Sequence, residues 1–137
     1  MVEIVNDVYD FYFFYSHTLL PLKNRLKKKK DFQKVFQRGK GIKEKFLTLR
    51  WSINNLKISR FGIVISQKVS KKAVLRNKLR RILKEKIKLN LPHLKKGIDV
   101  IIIVNPGAAK EKKEKIVENL SKIFLRSKLI KNEKTNY

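Results

Sequence analysis

The chain has 137 residues, and its 35 Lys and Arg against 11 Asp and Glu give a net charge of +24. Because 42% of the residues are apolar, the composition excludes a disordered basic tail and predicts one domain with a modest core. The absence of Cys excludes disulfides and thiolate metal sites, and no apolar run approaches the ~20 residues that span a membrane.

The first twenty residues differ in composition from the rest of the chain. Residues 1–20 contain three acids and no Lys or Arg, unlike a secretory signal, so we expect a cytoplasmic protein. This segment is either an additional arm or the result of an over-called start codon. In the second case, translation begins at Leu20 and the preceding residues are not made. We therefore divide the chain into an atypical N-terminal arm, a folded domain over 21–130 and a tail over 131–137.

A short helix is predicted over about residues 31–38. Asp31 is suited to its N-cap, and Gly39 to the position after its end. The helical spacing places Phe32 and Phe36 on one face. From the residues alone, these aromatic side chains are expected in the core.

The next segments predict a sheet and a closing helix. Residues 45–53 alternate between apolar and polar, which indicates a half-buried strand, and Asn54 begins the turn of a hairpin to a second β segment at 57–66. Residues 97–107 are apolar on both faces, as in a central strand, and 108–130 form the last helix. The buried side of that helix comprises Ile116, Leu120, Ile123 and Phe124.

Residues 71–88 predict an amphipathic helix in which half of the side chains are Lys or Arg. Its apolar stripe comprises Leu75, Leu79, Ile82, Leu83 and Ile87. A second stripe presents cations to solvent and comprises Arg76, Arg80 and Lys84, with Asn77, Arg81 and Lys88 beside them. Such a helix also fits a membrane surface or a calmodulin-type target. The arginines and Asn77 favour RNA. A guanidinium group binds phosphate bidentately, and the asparagine amide can both donate and accept hydrogen bonds.

The side chains offer no catalytic site and no protein-held metal. Glu111, Glu114 and Glu118 share one helix face among lysines, which is typical of a solvated helix with internal ion pairs. His17 and His93 have no nucleophile or orienting acid at a suggestive spacing. Since a metal-dependent nuclease gathers carboxylates around its ions, we expect this chain alone to be inactive on RNA.

The basic segment SKKAVLRNKLRRILKE, at 70–85, resembles the signature of the bacterial ribonuclease P protein subunit, with the Arg-Asn-Arg-type motif present as Arg76-Asn77-Lys78. Three further segments resemble the family in the same order: RLKKKKDFQKVFQRGK at 25–40, GIVISQKVSKK at 62–72 and DVIIIVNPGA at 99–108. The resemblance covers about residues 21–130. Lys78 replaces the second arginine of the motif and loses a bidentate fork.

The resemblance implies a single-domain α/β sandwich, with helices on a four-stranded mixed sheet and a left-handed βαβ crossover. It also implies that the catalytic RNA subunit, using Mg²⁺, removes the 5′ leader of precursor tRNA, while the protein binds both RNAs and no membrane or small-molecule substrate. A ribosomal or other structural RNA-binding protein is the alternative, and the motif spacing disfavours it.

The resemblance further implies which residues bind RNA. The motif and its entry loop contribute Lys68, Lys72, Arg76, Asn77, Lys78, Arg80 and Arg81, and helix geometry adds Lys84 to this set. Phe32 and Phe36 match aromatic residues that line the leader cleft, an interpretation that competes with their assignment to the core. A further cleft aromatic of the family corresponds to Leu49, which would weaken stacking there.

Overall fold

In this computed structural model, which describes residues 20–130, one mixed sheet carries three helices. The strands are β1 (Lys40–Glu44), β2 (Leu47–Ile53), β3 (Arg60–Val64) and β4 (Ile98–Val104). Their order is β1-β2-β4-β3, and only the β3–β4 pair is parallel. The single α/β domain with a four-stranded mixed sheet is confirmed. The assignments of residues 1–19 and 131–137 lie outside the described residues.

The helices are α1 (Lys29–Arg38), α2 (Ala73–Asn90) and α3 (Lys113–Arg126). The apolar stripes of α2 and α3 pack with one face of the sheet in the larger core, and α1 packs on the other face in a smaller core. All four predicted core residues of the last helix are buried, as are four of the five in the α2 stripe. Since β3 and β4 are parallel, α2 lies in a crossover connection, whose left-handedness stays a prediction.

Strand β4 lies in the middle of the sheet, as its apolar sequence predicts. It pairs with β2 on one side and β3 on the other. Val100 and Ile102 belong to the larger core, whereas Ile101 belongs to the smaller one. Both faces of the strand are therefore covered, which requires apolar residues at consecutive positions.

The predicted hairpin between β2 and the second β segment is wrong. β4 lies between β2 and β3, and β2 forms its hairpin with β1, an edge strand that the sequence pattern did not reveal. Asn54 does begin a turn, in which its Oδ1 accepts a hydrogen bond from the Leu56 amide at 2.7 Å. Its Nδ2 donates to Asp99 Oδ1 at 2.9 Å. This bond ties the turn to β4, and the chain then continues into β3 on the far side of that strand.

The predicted start of the first helix needs correction, whereas its end at Arg38, followed by Gly39, is as predicted. The helix begins at Lys29, so Asp31 lies in its first turn and pairs with Arg60 instead of capping. Gly39 follows the helix at an ordinary φ of −78°. A Cβ at Gly39 would lie 2.4 Å from the Val35 carbonyl oxygen and 2.7 Å from that of Trp51. Close approach of two backbones, and not a left-handed conformation, therefore requires glycine here.

We expect Gly39→Ala to lower the free energy of unfolding by about 1–3 kcal/mol, because the new methyl group must displace backbone atoms. Urea denaturation measures this change. Gly41→Ala is the matched control, since a Cβ there would meet no backbone atom closer than 3.5 Å, and its nearest neighbour is the side-chain atom Arg50 Nη1 at 3.1 Å. Equal stability of the two variants would show that the contact at Gly39 is easily relaxed.

Candidate nucleic-acid interface

The loop that leads into α2 is held by local hydrogen bonds. The amide of Lys68 donates to Ser66 Oγ at 3.2 Å, and the amide of Lys72 donates to Ser70 Oγ at 3.1 Å. Arg76 Nη1 donates to the Ser70 carbonyl at 2.9 Å and ties the first turn of the helix to the loop. The side chains of both lysines are exposed, so these bonds fix the backbone and leave the two cations accessible.

Exposed cations surround the start of α2. Lys78 and Arg81 lie three residues apart on the helix, so they share one face, and both are exposed. Lys68 and Lys72 of the preceding loop are also exposed, and Arg76 is half-buried. We call these five residues the α2 cationic surface. The structure thus brings together five of the eight cationic or amide residues that sequence analysis assigned to RNA.

The other three do not face solvent as predicted. Asn77 is 9% exposed, and Arg80 and Lys84 have no exposed surface. Arg80 Nη1 donates to Asn77 Oδ1 at 2.8 Å, so the amide is engaged within the protein. Positions 77, 80 and 84 border the apolar stripe, and the protein covers them along with it. Their contact with RNA stays a prediction. Such contact would require that these side chains become exposed when the protein binds RNA.

Burial changes the charge of Lys84. Desolvation, the largest cause, together with the nearby cations Arg80 and Arg25, lowers its pKa to about 5. Lys84 is therefore uncharged at neutral pH. Arg25 is also buried, and its Nε donates to the Leu20 carbonyl at 2.7 Å. Sequence analysis missed Arg25 because it begins a run of cations, and nothing in that run distinguishes a buried arginine from the exposed lysines.

The two aromatic residues of α1 differ in environment. Phe32 has no exposed surface and belongs to the smaller core, where a Cβ added at Gly62 would lie 2.5 Å from its ring. Phe32 therefore lies in the core, where its ring fills the space that Gly62 leaves, and its contact with the leader stays a prediction. Phe36 is half-buried and keeps an accessible edge. Leu49 is buried in the larger core, on the opposite face of the sheet.

A second polar cluster was not predicted. Arg60 binds Asp99 through two hydrogen bonds of 2.8 and 2.6 Å, and its Nη1 lies 3.3 Å from Asp31 Oδ2. The bonds to Asp99 are the main cause that raises the pKa of Arg60. The parallel register pairs Arg60 with Asp99 across 39 residues of sequence. No local pattern signals a pair at that separation.

Within residues 20–130, no group of three or more His, Cys, Asp or Glu side chains could hold a metal ion. No helix described there is long and apolar enough to cross a membrane. Glu118 and Lys122 form the expected intrahelical ion pair at 3.5 Å. Of the two histidines, His93 is exposed and His17 lies outside the described residues.

Comparison with known proteins gives one consistent family. The family model described as Ribonuclease P matches residues 20–128. Relatives named ribonuclease P protein component include one from Rippkaea orientalis, 38% identical over 86% of this chain and 97% of its own length. Another, from Synechocystis, is 40% identical over 81% of this chain and 90% of its own.

Solved structures agree with these relatives. The RNase P protein from Staphylococcus aureus has a TM-score of 0.75 at 28% identity and covers 79% of this chain and 98% of its own. The RNase P protein from Thermotoga maritima has a TM-score of 0.68 at 28% identity, over 74% of this chain and 96% of its own.

Proposed function

Because this chain belongs to the ribonuclease P protein family, we propose that its α2 cationic surface binds the catalytic RNA subunit of that enzyme, and that the protein also contacts the 5′ leader of precursor tRNA. In this family the catalytic role belongs to the RNA subunit. The chain is thus part of an endoribonuclease to which it contributes binding and positioning.

The observation that supports this proposal most is the exposure of the α2 cationic surface next to a rigid loop. Arg76 is tied to Ser70, so the cations beside it are held by a fixed backbone. Cations that neutralise phosphates release the counterions that the RNA had condensed. A cationic surface of this kind suits a folded RNA.

Mg²⁺ is proposed to act through the RNA subunit. Five of the seven carboxylates in residues 20–130 are paired with cations: Asp31 and Asp99 with Arg60, Glu44 with Arg126, Glu85 with Lys113, and Glu118 with Lys122. They are also too dispersed to form a metal site. The protein's own contribution is to screen the repulsion between the RNA subunit and its RNA substrate, so that less Mg²⁺ is needed.

The experiment that tests the function is leader cleavage with purified protein, before and after addition of the RNA subunit. We expect no cleavage by the protein alone, because its cations can orient a phosphate but cannot activate a water molecule. With the RNA subunit, the protein should raise affinity for precursor tRNA and lower the Mg²⁺ concentration required. Site-specific cleavage by the protein alone, after removal of contaminating RNA, would sink the proposal.

The α2 cationic surface can be tested by the salt dependence of binding to the RNA subunit. If Arg81 contacts a phosphate, Arg81→Ala should reduce the slope of log affinity against log salt by about 0.7–0.9. Lys115→Ala, an exposed cation on α3, is the matched control and should leave the slope unchanged. The same loss of slope in both variants would show that only overall charge matters.

A further inference from the structure

The turn between β1 and β2 has an exposed lysine in an unfavourable backbone conformation. Glu44 pairs with Leu47, so only Lys45 and Phe46 lie between the two strands. Lys45 has a φ of 41°, in the left-handed region that Gly, Asn and Asp adopt more readily than Lys. The backbone geometry of this turn therefore disfavours lysine, and the side chain has to be explained by something other than the turn itself.

Two asparagines from distant segments hold the turn in this conformation. The backbone amide of Asn105, directly after β4, donates to the Phe46 carbonyl at 2.8 Å, and its Nδ2 donates to the Lys45 carbonyl at 3.1 Å. Thr48 Oγ1 donates to Asn105 Oδ1 at 3.1 Å. The Phe46 amide donates to Asn119 Oδ1 of α3 at 3.0 Å. Strained residues persist where the surrounding structure fixes them, and they concentrate at functional sites.

The tethers fix the backbone of the turn and leave its cation accessible. Asn119 is buried, and the half-buried side chain of Phe46 packs against the larger core. The side chain of Lys45 is exposed. The loop before α2 has the same arrangement, in which local hydrogen bonds hold the backbone while Lys68 and Lys72 stay exposed.

The turn lies at the same end of the sheet as the loop that leads into α2. Leu47 at the start of β2 pairs with Val104 of β4, and Val64 at the end of β3 pairs with Ile103. Only β4 separates β2 from β3, so these two strand ends are about 10 Å apart. An RNA bound to the α2 cationic surface would therefore be near the turn.

The segment between these two loops is also cationic. Residues Ala108–Lys110 form a short helix after β4 that contacts α2, and Lys110 and Lys112 are exposed. Of the neighbouring acids, Glu44 forms an ion pair with α3, whereas Glu111 is exposed between the lysines. An excess of positive charge thus extends from the α2 cationic surface toward the turn.

We infer that Lys45 is a further RNA-binding residue of this protein and that Asn105 and Asn119 are positioning residues that hold it. The inference rests on the proposed function, because the RNA subunit is the partner. Lys45 would bind a phosphate of the RNA beside the part held by the α2 cationic surface. Phosphate contacts fix the orientation of a protein on nucleic acid, so a second fixed contact would set the angle at which α2 meets the RNA.

The test is Lys45→Gly in the full-length chain, because glycine adopts the left-handed conformation without strain. The slope of log affinity for the RNA subunit against log salt should fall by about 0.7–0.9, while the urea midpoint of unfolding should not decrease. Lys45→Arg keeps the charge and should keep the slope. Lys57→Ala is the matched control, since Lys57 is exposed between β2 and β3 at the opposite end of the sheet. An unchanged slope in Lys45→Gly, or an equal loss in Lys57→Ala, would overturn the inference.

The positioning role is tested by combining variants. Asn105→Ala should weaken binding to the RNA subunit in the wild type and have little effect in the Lys45→Gly background, because there is then no cation to position. Asn119→Ala should behave in the same way. If Asn105→Ala weakens binding by the same factor in both backgrounds, its role is purely structural and the positioning assignment is wrong.

The two proposals fail separately. If Arg81→Ala lowers the salt slope while Lys45→Gly does not, the inference about the turn is wrong and the proposed function stands. If Lys45→Gly lowers the slope but the wild-type protein does not assist leader cleavage by the RNA subunit, the proposed function is wrong and the assignment of Lys45 stands.

Discussion

Phe32→Ala is expected to lower the free energy of unfolding by about 3–5 kcal/mol, the usual cost of removing a buried aromatic ring. Phe32 has no exposed surface and fills the space above Gly62, so its loss leaves a cavity between α1 and the sheet. The rigid strands β3 and β4 border this cavity and limit how far it can collapse. Urea denaturation monitored by circular dichroism measures the change.

Phe36→Ala is the companion variant, because Phe36 lies on the same helix but is half-buried. It should lose less stability than Phe32→Ala. If one leader base stacks on the ring, the variant should weaken binding of precursor tRNA relative to mature tRNA by about 1–3 kcal/mol. Similar destabilisation of both variants, with leader selectivity intact, would assign Phe36 to the core as well.

Lys84→Met is expected to stabilise the protein, and the gain should grow as the pH is lowered from about 10 toward 5. The pKa of Lys84 is lowered to about 5 in the folded chain, against about 10.4 when unfolded. Between these values the unfolded state binds a proton that the folded state lacks, so wild-type stability falls as the pH falls. One proton contributes a slope of about 1.4 kcal/mol per pH unit, which methionine removes.

Chemical denaturation at pH 6, 7.5 and 9 measures this difference. Lys88→Met is the matched control, since Lys88 is exposed on the same helix and its removal should leave the pH dependence unchanged. Below pH 5 the contribution of Lys84 should level off, because the group is then protonated in both states. Parallel pH profiles for the wild type and Lys84→Met would show that Lys84 keeps its charge when folded.

Local patterns were sufficient where neighbours in sequence decide the outcome. The alternation over residues 45–53 located β2, and the apolar run at 97–107 located β4 and its central position. The helical spacing of Leu79, Ile82 and Leu83 located the buried stripe of α2. These patterns are informative because burial of one face of a helix or strand places apolar residues at regular intervals in the sequence, and burial of both faces of a strand places them at consecutive positions. The family likewise could be read from the motif at Arg76-Asn77-Lys78 and its flanking segments.

The tertiary structure alone decided which polar residues meet. Arg80 and Lys84 lie on the cationic stripe of α2 and were expected to be exposed, yet both are buried. Helical periodicity identifies the centre of the apolar stripe, but the burial of residues beside that stripe depends on which other segments pack there. Asn54 marks a turn, but only the folded structure shows that this turn is bonded to Asp99 of β4. A groove beside the end of β2 is lined by residues from α1, β1, β2 and the segment after α2, which only folding brings together. Contacts between distant segments depend on which strands pair and in what register, and no local pattern of residues encodes that pairing.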